Sequence, residues 1–111
     1  MSQEDVFNYI YNDFSGLGSL IIKWKGDTML EFKYDTQLLI SGNGLSEDII
    51  REYIDTKVEG DSLLVVGDEE LVKMHYHTNN PWKVLEYSAT LGDIHDIIIE
   101  NMERQTRGLD G

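Results

Sequence analysis

Two histidines one residue apart, His75 and His77, lie in the run Leu71-Val72-Lys73-Met74-His75-Tyr76-His77-Thr78, which alternates as a β-strand does. Side chains two apart on a strand share a face, so both imidazoles project with Lys73, opposite Val72, Met74 and Tyr76. A second run, Met29 to Ile40, sets Lys33, Asp35 and Gln37 against Tyr34, Thr36 and Leu38. If the two strands are neighbours, the Asp35 carboxylate comes within reach of both imidazoles. Two histidines and a carboxylate can bind a divalent metal, hold one ring in a fixed tautomer for proton transfer, or stabilise phosphoryl charge when protonated. They can also be no more than an exposed polar pair beside an acid. Lys33 and Lys73 weigh against a bound cation and towards an anion or phosphoryl group. Asp35, His75 and His77 are therefore the expected catalytic residues, with no metal ligands and no directly bound cofactor assigned.

The elements that must position these residues follow from pattern and punctuation. Ser46 can cap a helix in which Leu45 packs on Ile50, and Ile49, Ile50, Tyr53 and Ile54 make one apolar stripe ending near Gly60. Ser62 to Val66 and Leu71 to Thr78, joined by the turn-like Gly67 to Glu70, read as an antiparallel hairpin. Asn80 followed by Pro81 marks a second helix start, Gly92 sits where a C′ residue belongs, and Val84, Leu85, Ser88 and Leu91 share a face. Ile94 to Ile99 reads as a last strand, and the polar stretch from Glu100 to Gly111 as a tail or linker. Ahead of these lie a short amphipathic helix over residues 3–14 and a strand-like run from Ser19 to Trp24, with a Gly26-Asp27 hairpin turn.

The order from residue 30 is strand, helix, strand, strand, helix, strand. It predicts an α+β fold, a ferredoxin-like split βαββαβ sandwich with an extra N-terminal helix and strand. Residues 1–30 form the extension, 31–105 the domain and 106–111 the tail. The first and third strands of the domain should be parallel neighbours at the sheet centre, with both helices on one face and the histidines on the other.

Composition narrows the function classes. With 21 acids against 9 bases the formal charge is −12, which repels nucleic acid and anionic lipid and suits either solubility or a basic protein partner. There is no cysteine, hence no disulfide, thiolate zinc site or thiol nucleophile. No apolar run approaches the ~18 residues of a membrane span, and Met1 to Ile10 lacks the basic start of a signal peptide, so a cytoplasmic protein is expected. Gly42-Asn43-Gly44 imitates the start of a dinucleotide fingerprint, but Glu47 stands where a third glycine is required. Asp93, His95, Asp96 and Glu100 straddle a strand end and read as solvated, and Trp24 and Trp82 as core or interface anchors.

The strings Gly60-Asp61-Ser62-Leu63-Leu64-Val65-Val66-Gly67-Asp68, Leu71 to Pro81 with its H-x-H-T-N-x-P order, and Ile99 to Gln105 resemble the central domain of the bacterial fatty acid kinase A-subunit family, which is dihydroxyacetone kinase-like. The resemblance covers roughly residues 33–105. It implies a dimerising domain that supplies a cysteine and two histidines to acyl-phosphate formation, flanked in that family by a domain binding ATP and magnesium and by one docking a fatty-acid-binding protein. The histidines fall on His75 and His77, and the family's Tyr-Cys-Thr-Glu on Tyr34-Asp35-Thr36-Gln37, so Asp35 holds the cysteine position. An aspartate keeps an anionic, ligand-capable group there without a thiolate's softness.

The resemblance thus implies an accessory homodimer, inert alone, that assists phosphoryl transfer in trans with an ATP-binding kinase partner, with ATP and magnesium held by that partner. The alternative is a non-catalytic dimeric interaction or regulatory module that has lost the family cysteine. A third reading, an independent metal-dependent hydrolase, lacks any sequence sign of a substrate pocket.

Overall fold

Four of the apolar or alternating runs become strands. They are β1 (Tyr34–Ser41), β2 (Gly60–Gly67), β3 (Leu71–Thr78) and β4 (Asp93–Asn101), joined in one antiparallel sheet of order β2-β3-β1-β4. Among the described residues three helices complete an α+β domain: α1 (Glu47–Lys57), α2 (Pro81–Ala89) and the short α3 (Met102–Thr106). The computed structural model describes residues 30–111, so the expected N-terminal helix, the Ser19 to Trp24 strand and the Gly26-Asp27 turn lie outside the described residues.

β1 and β3 are central neighbours, as expected, but they run antiparallel and not parallel. The connection through α1 returns β2 in the direction of β1, and the tight β2–β3 hairpin reverses the chain once more. The reversal leaves the facing residues unchanged: Asp35 pairs with His77 and Gln37 with His75.

The helices cover the face formed by Thr36, Leu38, Ile40, Val72, Met74 and Tyr76. α1 contributes Ile50 and Ile54 to this core and α2 contributes Val84, all essentially inaccessible. Leu45 and Ile50 are both buried at the start of α1, where the Ser46 hydroxyl accepts the Ile49 amide at 3.3 Å. Only half of the expected α1 stripe faces the core. Ile49 is 65% exposed, and Tyr53 turns outward to stack on Tyr87 with ring centroids 3.7 Å apart. Beside that stack a recess of about 610 Å³ is lined by Lys57, Val58, Lys83 and Thr90 among others, on the helical side of the domain. Among the described residues no helix is long and apolar enough to cross a membrane.

Three local expectations are corrected. Asn80 precedes α2, but its side chain makes no capping bond, and its amide instead donates to the Thr78 hydroxyl at 3.1 Å. Gly92 does not serve as a left-handed cap: a Cβ there would meet the Ser41 carbonyl oxygen at 2.3 Å, so glycine is required by close approach of the backbone to β1. The polar stretch after residue 100 is not simply a tail. Asn101 Oδ1 accepts the Arg104 amide at 3.0 Å and caps α3, and Met102 beneath it is buried.

Candidate functional site

β3 alternates through its whole length, so His75 and His77 leave the sheet on the face opposite Met74 and Tyr76, and the register sets Asp35 of β1 between them. Asp35 Oδ1 lies 2.6 Å from His75 Nε2 and 3.9 Å from His77 Nε2. The nearer contact has the length of a charge-assisted bond. The histidine pair is not the exposed polar pair that the pattern allowed: each residue is 2% accessible.

The outer nitrogens are tethered. His75 Nδ1 stands 3.4 Å from the Ser62 carbonyl oxygen, and His77 Nδ1 stands 3.5 Å from Asp61 Oδ1. Both acceptors lie where β2 departs from regular pairing, between Asp61 and Leu64, with Ser62 in the left-handed region at φ 58°. The irregularity carries that carbonyl towards the ring. Gly60 is needed nearby, since a Cβ there would meet the His77 carbonyl oxygen at 2.4 Å.

Charge and burial act in opposite directions on the cluster. Burial works to raise the Asp35 carboxyl, yet the contact with His75 and the charges of both imidazoles prevail, with Gln37 assisting, and hold it below its ordinary 3.8. Burial depresses His77 below its ordinary 6.5 and the charge of His75 adds to this, against the pull of Asp35 and Asp61. His77 is thus poised to be neutral at pH 7, the form in which an imidazole binds a metal.

Asp35, His75 and His77 share one focus: one ligand atom from each lies within 4.8 Å of the others, the sole such group among the described residues. Ligand atoms on one zinc ion at ~2.1 Å stand roughly 3.4 Å apart, so small side-chain rotations would complete a shell. His77 Nε2 is enclosed and makes no hydrogen bond among the described residues. An enclosed nitrogen of that kind costs stability unless something occupies its lone pair. The residues therefore have the donor types and the spacing to fit a divalent cation, a ligand that the sequence left unassigned.

Lys33 and Lys73 weighed towards an anion in the sequence, whereas the influences on the Asp35 carboxyl are burial, His75, His77 and Gln37. Lys33 Nζ lies 3.8 Å from Glu103, and burial pushes the Lys73 ammonium below its ordinary 10.5 against the pull of Asp96. Sequence reasoning missed Asp61 and Ser62 as ring tethers. No periodic signal marks them, because a bulge is invisible to alternation.

An antiparallel sheet with helices on one face and a buried, tethered histidine–carboxylate cluster on the other defines an α+β domain with a ligand-capable centre. Residues 31–109 match the family model of the fatty acid kinase A-subunit-like middle domain, and the chain belongs to that family. Curated relatives include uncharacterized proteins of Staphylococcus aureus strains USA300, NCTC 8325 / PS 47 and N315, each 50% identical over 48 residues. Those residues are 43% of this chain and 9% of each relative, so the chain matches a small part of much longer proteins.

Proposed function

We propose that this domain is a dimerising accessory unit of a fatty acid kinase-related system, in which Asp35, His75 and His77 together hold a divalent cation. The observation that carries the reading is the convergence of the carboxylate and both Nε2 atoms, with both Nδ1 atoms turned outward to oxygen acceptors. Outer acceptors of that kind fix the tautomer and aim the inner lone pair of a metal-binding histidine. Two imidazoles and a carboxylate suit zinc or a neighbouring first-row ion. A cation there would supply positive charge for an acyl or phosphoryl oxygen. Asp35 and the two rings would fix its place, while His77, neutral at pH 7, requires no proton loss before binding.

Nucleotide binding is assigned to a kinase partner, because the Gly42-Asn43-Gly44 turn lacks the third glycine and phosphate-binding lysine of a nucleotide cradle. A fatty-acid-binding protein would be the third component, and the setting cytoplasmic. Dimerisation is supported by the edge strand β4, where Ile97, Ile98 and Ile99 are 44%, 39% and 37% exposed in succession. The strand order, with a helix joining β1 to β2 and another joining β3 to β4, supports a ferredoxin-like plan.

The test is a reconstituted fatty acid kinase reaction with the ATP-binding and fatty-acid-binding partners. His75→Ala and His77→Ala should abolish acyl-phosphate formation and bound metal together. Full activity in both variants would instead make the domain a non-catalytic interaction module, a second reading that the aspartate at position 35 favours. Micromolar ATP binding by the isolated chain in calorimetry would refute the accessory role.

A further inference from the structure

The sheet face that carries Asp35 holds a second histidine–carboxylate pair at its other end. Asp35, Gln37, Leu39 and Ser41 lie on one side of β1, so Ser41 is ~20 Å from Asp35 along the strand. Ser41 Oγ lies 2.7 Å from His95 Nε2, and His95 Nδ1 lies 3.1 Å from Asp96 Oδ1. Hydroxyl, imidazole and carboxylate therefore stand in series, with each ring nitrogen used once. This is the arrangement that activates a serine: Nε2 can accept the hydroxyl proton only while Nδ1 carries the other, and a carboxylate on Nδ1 selects that tautomer.

The backbone is bent to make the series. Neighbouring residues of a regular strand face opposite ways, so Asp96 should point away from His95. Instead the β1–β4 register shifts between Gln37 and Leu39, an extra β4 residue is accommodated there, and Asp96 takes φ 52°. Positive φ is strained for a residue with a side chain, although Asp tolerates it better than most. Tying β1 to β4 does not call for this, because the ladder already joins them and the Ser41–His95 bond would suffice. The strained aspartate on the far ring nitrogen is the part that a tie leaves unexplained.

We propose that Ser41 is a nucleophile towards small, neutral, activated acyl esters, with His95 as its base and Asp96 as a positioning residue. The His95 side chain is 42% exposed, so a small electrophile reaches it. Asp93 pairs with Ser41 across the ladder and Asp96 adjoins His95, while Lys73, opposite Leu39 on the next strand, offsets one of these two carboxylates, so the local field is weakly negative and favours neutral over anionic substrates such as acyl phosphates. In the first half-reaction the Ser41 oxygen bonds to the acyl carbon and His95 Nε2 takes the hydroxyl proton. The ester C–O bond breaks, and the leaving oxygen takes that proton. In the second, water attacks the acyl-serine, His95 relays its proton to the departing Ser41 oxygen, and a carboxylic acid is released.

The test uses the full chain and a fluorophosphonate probe, whose phosphorus bonds to the serine oxygen as fluoride leaves and the serine proton passes to His95. Intact mass should show one adduct, mapped by peptide analysis to Ser41. The adduct should be absent in Ser41→Ala and form about 100-fold more slowly in His95→Asn, the usual worth of a positioned base. Asp96→Asn keeps a residue that accepts positive φ. It should shift the His95 ring from the Nδ1–H tautomer seen by nitrogen NMR and also slow labelling, the second of which loss of a purely structural aspartate would not do. No adduct, an adduct elsewhere than Ser41, or Ser41 labelling at an unchanged rate in His95→Asn overturns the proposal. Peptide mapping of the wild-type chain decides the point even if Ser41→Ala does not fold.

Discussion

Asp35→Asn removes the charge between two buried imidazoles while keeping shape and volume. The carboxylate is 19% exposed and 2.6 Å from His75 Nε2, and interactions of a charged partner at such sites contribute about 1.5–3 kcal/mol. Taking about 2 kcal/mol, and at least ~4 °C of melting temperature per kcal/mol for a domain of this size, the metal-free variant should melt roughly 8 °C lower. A ligand at a hundred times its Kd adds about 2.7 kcal/mol, so zinc at that excess should raise the wild-type Tm by at least ~10 °C. The variant should gain little from the same addition, and the gap between the two proteins should about double. Differential scanning calorimetry of both, with chelator and with zinc, measures all four values. Equal gains from metal, or an Asp35→Asn protein as stable as wild type in both conditions, would refute the cluster as a cation site.

Because the folded-state pKa of His77 lies below 6.5, its contribution to stability is complete above that pH and declines as pH falls from there towards the folded value. Urea melts at pH 7.5 and 5.5 should show lower stability at 5.5, and His77→Gln should flatten the difference; Asp35 acts in the same direction, but only below about pH 3.8. Gly92→Ala puts a methyl group 2.3 Å from the Ser41 carbonyl oxygen, and denaturant melts should show a loss of about 1–3 kcal/mol, the usual cost of overpacking. Ile97→Lys places a charge on the most exposed of the three β4 isoleucines, and sedimentation at tens of micromolar should show a dimer for wild type and a monomer for the variant.

Much of the frame was legible because it depends on period and punctuation. β3 has the bounds its alternation predicts, α1 starts at its serine cap, and Pro81 opens α2. The meeting of Asp35 with His75 and His77 followed from alternation and strand adjacency, and these survived the mistaken strand direction because antiparallel pairing leaves the same residues facing. Burial of the histidines was not legible, since alternation assigns a face but not what closes over it. Nor were Ser62 and Asp96, whose positive φ lies in bulges that break the periodicity on which the reading depends. The contact of Lys33 with Glu103 was not legible either, because the two are remote in the chain.

The irregularity in β2 also bears on how many copies of this chain can join. Among the described residues β2 and β4 are the two outer strands, and adding β4 of one copy to β2 of the next would repeat without end and build a filament. The kink at Ser62 and the half-exposed carboxylate of Asp61 spoil β2 as a template for a further strand. Among the described residues β4 has no such guard over Ile97 to Ile99 on its outer side, so the proposed dimer would pair β4 with β4 about a two-fold axis. That contact closes after two chains. In the proposed dimer, the same bulge that aims a carbonyl at His75 would thus also keep the sheet from polymerising.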